Sequence, residues 1–295
     1  MKLDDFMQAH GLPQSYAASA EQHYVPFADW LYDKVRASGG GTFVLGINGA
    51  QGTGKSTCAD LVKEYLSTEY ALSSVVLSID DIYLTRRERE ALAQDVHPLL
   101  QTRGVPGTHD VTLGLQAIEQ LRLLGSGSTM PIPRFDKSSD DRFPESEWPL
   151  VTGSVDLVIF EGWCVASRPS DPAGLERPVN SLERDEDPDA VWRSWVNERL
   201  SAEYKELFAT LDALLFLKAP NFEVVYQWRL QQEHKLRAKK GAAAKAIMSD
   251  AEVARFIQFY ERITKENLKH LPDVADVVIE LDTDHAAIST RFRDQ

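Results

Sequence analysis

Five short apolar runs punctuate the chain: Thr42–Ile47, Ser74–Ile79, Val155–Phe160, Ala213–Leu217 and Asp276–Leu281. Between them lie stretches whose apolar residues recur at helical spacing, among them Val111–Leu124, Val191–Leu207 and Ala251–Asn267. Runs this short and continuously apolar suit strands buried on both faces. Their alternation with helices predicts an α/β fold, a three-layer α/β/α arrangement around a parallel five-stranded sheet. Residues 1–40, with "FADWLYDKVRA", read as a helical extension packed outside the first strand.

Two stretches break the rhythm. Residues 167–190, "SRPSDPAGLERPVNSLERDEDPDA", are rich in proline and acid and poor in apolar residues, which predicts a solvated, acidic insertion. Residues 229–247, "RLQQEHKLRAKKGAAAKAI", form the most basic stretch of an acidic chain. A solvated helix face followed by a turn is the plain reading. In a phosphoryl-transfer enzyme, arginines in a mobile lid over residues 229–248 are the functional one, with "KKGAAAKA" as the place to bend.

The first run opens onto "GINGAQGTGKST", and within it Gly49-Ala50-Gln51-Gly52-Thr53-Gly54-Lys55-Ser56 matches G-x-x-x-x-G-K-[ST]. A chain of backbone N–H groups can close around a phosphate only where glycine lets the backbone approach and turn. Lys55 then reaches the β- and γ-phosphates, Ser56 meets Mg²⁺, and Thr57 follows in the first turn of a helix whose positive end faces the anion. A glycine-rich turn alone would be weak evidence, but here an apolar run precedes it and helical spacing from Cys58 to Leu66 follows. ATP and Mg²⁺ are therefore the expected cofactors.

Composition narrows the remaining classes. The net charge is −13, so the chain lacks the basic balance that a nucleic-acid partner demands. No apolar run approaches the ~18 residues needed to span a bilayer. The start, "MKLDDFMQAHGLPQSY", carries acids where an export signal is basic, so a cytoplasmic location is expected. Two cysteines, Cys58 and Cys164, make no disulfide framework and read as small buried hydrophobes.

Phosphoryl transfer also needs a carboxylate for Mg²⁺, a group that orients the acceptor, and positive charge over the moving phosphoryl. In open α/β sheets such groups lie at the C-terminal ends of strands. The second run ends in Ser78-Ile79-Asp80-Asp81, where paired acids are either turn formers or a base for an attacking hydroxyl; Asp80 is the choice and Asp81 the alternative. The third ends in Phe160-Glu161, the Walker B pattern of an acid after apolar residues, and Glu161 is the second metal candidate beside Ser56. Two polar segments, residues 101–110 and 131–137, collect Arg103, His109, Arg134 and Lys137. Basic groups on loops suit a small anionic acceptor, and arginine suits a carboxylate. Tyr83 is a further candidate contact for the acceptor.

"SIDDIYLT", "RGVPGTHD", "PRFDKSSDDR", "FEGWCV" and "VYQWRLQQE" together resemble the D-glycerate 3-kinase family, relatives of uridine kinase, phosphoribulokinase and pantothenate kinase. The resemblance runs from about Gly46 to Asp282, and it implies one P-loop kinase domain over residues 1–295. Numbering the five strands along the chain, it implies the order 2-3-1-4-5. It further implies ATP-dependent phosphorylation of the primary hydroxyl of D-glycerate to 3-phosphoglycerate. Asp80 matches the catalytic aspartate, Glu161 the Mg²⁺-linked acid, and Arg134 with Lys137 a substrate-facing segment. Arg229 and Arg237 fall near the lid arginines, and Arg229 joins Asp80 and Lys55 as catalytic candidates. A nucleoside or pantothenate-like alcohol remains the alternative acceptor, and a nucleotide-dependent switch the alternative class.

Overall fold

The computed structural model describes residues 1–240 and 248–293. Among these residues a six-stranded sheet is built from β1 (Phe43–Gly49), β2 (Ser74–Ser78), β3 (Leu157–Gly162), β4 (Ala213–Lys218), β5 (Val277–Leu281) and β6 (Ala287–Phe292). The order across it is β2-β3-β1-β4-β5-β6. The first five run parallel, in the order 2-3-1-4-5, and β6 closes the edge antiparallel to β5. That sixth strand was not among the apolar runs. It covers a half-exposed edge, and "AISTRF" lacks the continuous apolarity that reveals a central strand.

Every residue of β1 and β3 is buried, because helices cover both faces of the sheet. In register, Leu45 lies between Ile159 of β3 and Ala213 of β4, so the centre of the sheet is wholly apolar. Truncating Leu45 to Ala there would cost about 2–5 kcal/mol. Helix α1 (Val25–Ala37) buries Phe27, Ala28, Leu31 and Val35, and α2 (Lys55–Tyr70) buries Cys58, Ala59, Leu61, Val62 and Leu66. Both sets recur at three- and four-residue steps, the stripe a helix needs to face a sheet.

Helix α3 (Val111–Leu123) starts where the Asp110 carboxylate accepts the Leu113 N–H at 2.9 Å. The expected helix Val191–Leu207 is two: α4 (Val191–Ser201) and α5 (Glu203–Phe208). The backbone breaks at Ala202, with φ −103° and ψ −110°, and the turn carries Tyr204 inward until it is fully buried. Two further helices, α6 (Phe222–Lys240) and α7 (Asp250–His270), flank residues 241–247. Ser249 and Glu252 form a reciprocal cap at the start of α7, worth about 1 kcal/mol. The bend proposed at "KKGAAAKA" falls largely on residues 241–247, outside the described residues.

Residues 167–190 are mostly exposed, as a solvated acidic segment should be, but they are anchored at a few points. They hold two short helices, Pro172–Leu175 and Ser181–Glu186, and two of their acids are buried. Asp187 takes the Arg193 guanidinium at 2.9 Å and the Trp192 N–H at 2.8 Å, while Glu183 takes Arg262 at 2.6 Å. These cations lie on α4 and α7, outside the segment, so its composition gave no sign that two of its acids are paired. A buried acid requires such a partner.

Candidate active site

The phosphate loop leaves β1 and enters α2 as its motif requires. A Cβ on Gly49 would lie 2.4 Å from Thr53 Oγ1, so only glycine admits the turn in which that hydroxyl donates to the Ala50 carbonyl at 2.8 Å. Gly54 has φ +81°, left-handed backbone that hands the chain to Lys55, the first residue of the helix. Gly52, Gly54, Lys55, Ser56 and Thr57 line one side of an open cleft of about 370 Å³. Trp228 of α6 and His285 line the other.

Glu161 lies within β3, not beyond its end. Its backbone is laddered to Ile47 of β1 and Ser78 of β2, which extends the strand past the apolar run. The side chain is 4 % exposed and reaches the mouth of the phosphate loop, where Ser56 Oγ donates to Oε1 at 3.0 Å. Oε2 is buried with no hydrogen-bond partner. A bare carboxylate oxygen beside a hydroxyl is the donor set that Mg²⁺ accepts, the remaining positions being filled by phosphate oxygens and water. Among the described residues no cluster of three or more His, Cys, Asp or Glu is arranged to hold a metal.

The acid pair follows directly on β2. Residues Ile79–Asp81 form a 3₁₀ turn after β2, with Ser78 Oγ accepting the Asp80 N–H at 3.2 Å. Asp80 and Asp81 therefore both lie within a tight turn. Asp80 receives Tyr83 Oη on Oδ1 at 2.6 Å and Lys137 Nζ on Oδ2 at 2.6 Å. Burial pushes its carboxyl up, but Lys137 and Lys55, with the hydrogen bonds from Lys137 and Tyr83, outweigh that and hold the pKa at about 2. Asp81 instead pairs with Arg134 and accepts the Phe135 N–H at 3.4 Å. Burial dominates there and raises its pKa despite Arg134.

His109 is buried, against its reading as a basic group. Its ring stacks on Tyr83 at 4.7 Å, and burial lowers its pKa to about 3, so it is neutral at pH 7. Tyr204 lies 2.5 Å from His109 Nδ1, and its oxygen already accepts the Gly107 N–H at 2.8 Å. His109 Nδ1 and Tyr204 Oη share one hydrogen bond whose direction follows the ring's tautomer, and Nε2 is a buried atom without a partner. Arg103 pairs with Asp140 and lies over the Phe135 ring at 5.4 Å.

No family model matches the chain. It is 40 % identical over 236 residues to an uncharacterized kinase of Schizosaccharomyces pombe, mug58, covering 75 % of this chain and 79 % of that one. It is 32 % identical over 265 residues to a chloroplastic D-glycerate 3-kinase of Arabidopsis thaliana, covering 84 % of this chain but only 54 % of that longer protein. A solved D-glycerate 3-kinase from Cryptococcus neoformans superposes with a TM-score of 0.75 at 26 % identity, over 92 % of this chain and 99 % of that one. The chain belongs to the D-glycerate 3-kinase family. It is a P-loop kinase of small molecules, a phosphotransferase with an alcohol group as acceptor. ATP is the phosphoryl donor the family implies.

Within this family member, several site residues escaped the sequence reading. Tyr260 of α7 stacks edge-on against Trp163 at 4.8 Å, and burial raises its pKa, with Asp80 adding to the shift and Arg103 and Arg229 opposing it. It therefore stands among the acceptor-side charges, yet as one aromatic in an amphipathic helix it carried no signal. Tyr204 was hidden in the same way. His285 Nδ1–H donates to the Gly52 carbonyl at 2.9 Å, and the ring stacks on Trp228 at 4.4 Å. Trp228 at least lay within "VYQWRLQQE". The two arginines expected for the lid are engaged within the chain: Arg229 with Glu233 of its own helix at 2.8 Å and over Phe256 of α7, Arg237 with the Met248 carbonyl at 2.7 Å. Among the described residues, no helix is long and apolar enough to cross a membrane.

Proposed function

We propose that the protein phosphorylates the primary hydroxyl of D-glycerate with ATP, giving 3-phosphoglycerate and ADP. The observation that carries this reading is the Asp80 carboxylate, held between Tyr83 and Lys137 within the field of Lys55. A base, a cation for an acceptor carboxylate and the phosphate-loop lysine then stand at one corner. The names of the Arabidopsis and Cryptococcus proteins support the acceptor.

ATP is held by residues 49–57, with Lys55 on the β- and γ-phosphates. Ser56 and Glu161 would hold Mg²⁺, which when bound neutralises charge on the phosphate oxygens. The acceptor hydroxyl oxygen forms the new bond to the γ-phosphorus while the bond to the β,γ-bridging oxygen breaks. The hydroxyl proton passes to Asp80, and ADP leaves with the bridging oxygen's electron pair. Arg229 and Arg237 supply positive charge from the 229–248 lid. Tyr83, Arg103, His109, Arg134 and Lys137 surround the acceptor, His109 as a neutral ring. The chain acts as one kinase domain, and its two unpaired cysteines suit a cytoplasmic location.

A coupled ADP assay across D-glycerate, other hydroxy acids, nucleosides and pantothenate tests the reading. ADP release that rises steeply with D-glycerate is expected. Turnover with a nucleoside or pantothenate alone would replace the acceptor, and slow hydrolysis indifferent to every alcohol would point to a switch.

A further inference from the structure

Three cations of the acceptor corner are each matched to an acid of the chain: Arg134 to Asp81, Arg103 to Asp140 and Lys137 to Asp80. The third pair differs from the others in what it covers. Tyr83, on the Oδ1 side of Asp80, is buried, whereas Lys137, on the Oδ2 side, is 58 % exposed and Asp80 itself 33 % exposed. A ligand therefore reaches Asp80 from the side that Lys137 occupies.

We propose that an anionic acceptor draws Lys137 off Asp80, the acceptor carboxylate taking the ammonium while its hydroxyl takes the vacated place at Oδ2. The exchange trades one carboxylate partner of Lys137 for another, so the lysine stays paired throughout. Its four-carbon stem allows the swing, whereas the Arg134 carboxylate partner is also fixed by the Phe135 N–H. The departing ammonium leaves Asp80 more basic at the moment a hydroxyl proton must be taken. A neutral polyol offers no carboxylate, and it meets an Asp80 that is still covered. Lys137 thereby determines specificity for hydroxy acids over plain alcohols, through an attractive contact with one class and an obstacle to the other. The inference rests on the D-glycerate reading above.

The test compares kcat/KM for D-glycerate and for glycerol, which differ at one carbon, in the wild-type protein and in Lys137→Met and Lys137→Arg. The side chain is half-exposed, so both variants are expected to melt as the wild type does. In Lys137→Met, D-glycerate should lose about 10- to 100-fold, the value of one charged hydrogen bond. Glycerol should gain about three- to tenfold, because the partly exposed pair no longer has to be parted. Lys137→Arg should keep the preference for D-glycerate. A fall with both acceptors together, or no change with D-glycerate, overturns the exchange while leaving the D-glycerate activity standing. Wild-type protein that transfers nothing to D-glycerate overturns both.

Discussion

Around the phosphate loop, among the described residues, Lys55 pairs with no carboxylate of the chain, and the other donors are backbone N–H groups fixed by glycine conformation. Among the residues expected to meet the acceptor, Arg103, Arg134 and Lys137 are each already neutralised by an acid 37, 53 and 57 residues away in sequence. The first region is organised for an anion before one arrives, and the second is satisfied without one. A nucleotide can therefore bind to a ready site, whereas an acceptor has to rearrange charge to bind.

The largest effect should come from the prepared side. Lys55→Ala removes the ammonium that follows charge onto the moving phosphoryl, a donor worth about 3–4 kcal/mol or more at the transition state. Turnover should fall about 10³-fold or more with an unchanged melting curve. Near-normal turnover would show that the loop's lysine is not engaged with the phosphates.

On the satisfied side, Asp80→Asn keeps the volume and one acceptor oxygen but cannot take a proton. Positioned proton transfer is worth about 10²–10⁴, so kcat should fall by that factor with little change in KM for ATP. Asp81→Asn should cost less turnover and more stability, because Asp81 partners Arg134 and the Phe135 N–H and not the open side of the cleft. If Asp81→Asn damages kcat more, the base is assigned one residue too early.

These contrasts follow how each region is written in the chain. The phosphate site is contiguous: Gly49, Gly54 and Lys55 lie within one turn, so their spacing alone carries the geometry. The five parallel strands were equally legible, because central strands must be apolar on both faces. The acceptor side is assembled from long-range pairs, and spacing says nothing about them. Arg103 looked free because Asp140 stands on another loop, and His109 looked basic because its burial under Tyr83 and Tyr204 is tertiary. Tyr260 and Tyr204 face inward from helices whose apolar stripe would look the same without a site.

At the seam between the halves, Glu161→Gln should spare nucleotide binding and weaken the metal. The amide preserves shape but loses the charge on the unpartnered oxygen. The Mg²⁺ concentration for half-maximal activity should rise about 10- to 100-fold, by analogy with other lost metal supports. Superimposable Mg²⁺ titrations would leave Glu161 as a strand residue only.

The smallest expected effect concerns His109, and it separates a neutral site from a charged one. Burial takes its pKa from 6.5 in the unfolded chain to about 3 in the folded one. Between those values the unfolded chain binds the extra proton, so folding stability rises with pH there. His109 therefore favours the folded state fully above pH 6.5, and that contribution drains away as pH falls toward 3, with a limiting slope of about 1.4 kcal/mol per pH unit. Melting temperatures of the wild type should fall from pH 6.5 toward pH 4 more steeply than those of His109→Gln. The glutamine cannot titrate, yet it retains a donor near the Nε2 position. Activity of His109→Gln should show no new dependence on pH between 6 and 8, because the native ring carries no charge in that range. Parallel pH dependences across the acid range would mean that His109 titrates alike in the folded and unfolded chain, and that burial does not hold the ring neutral.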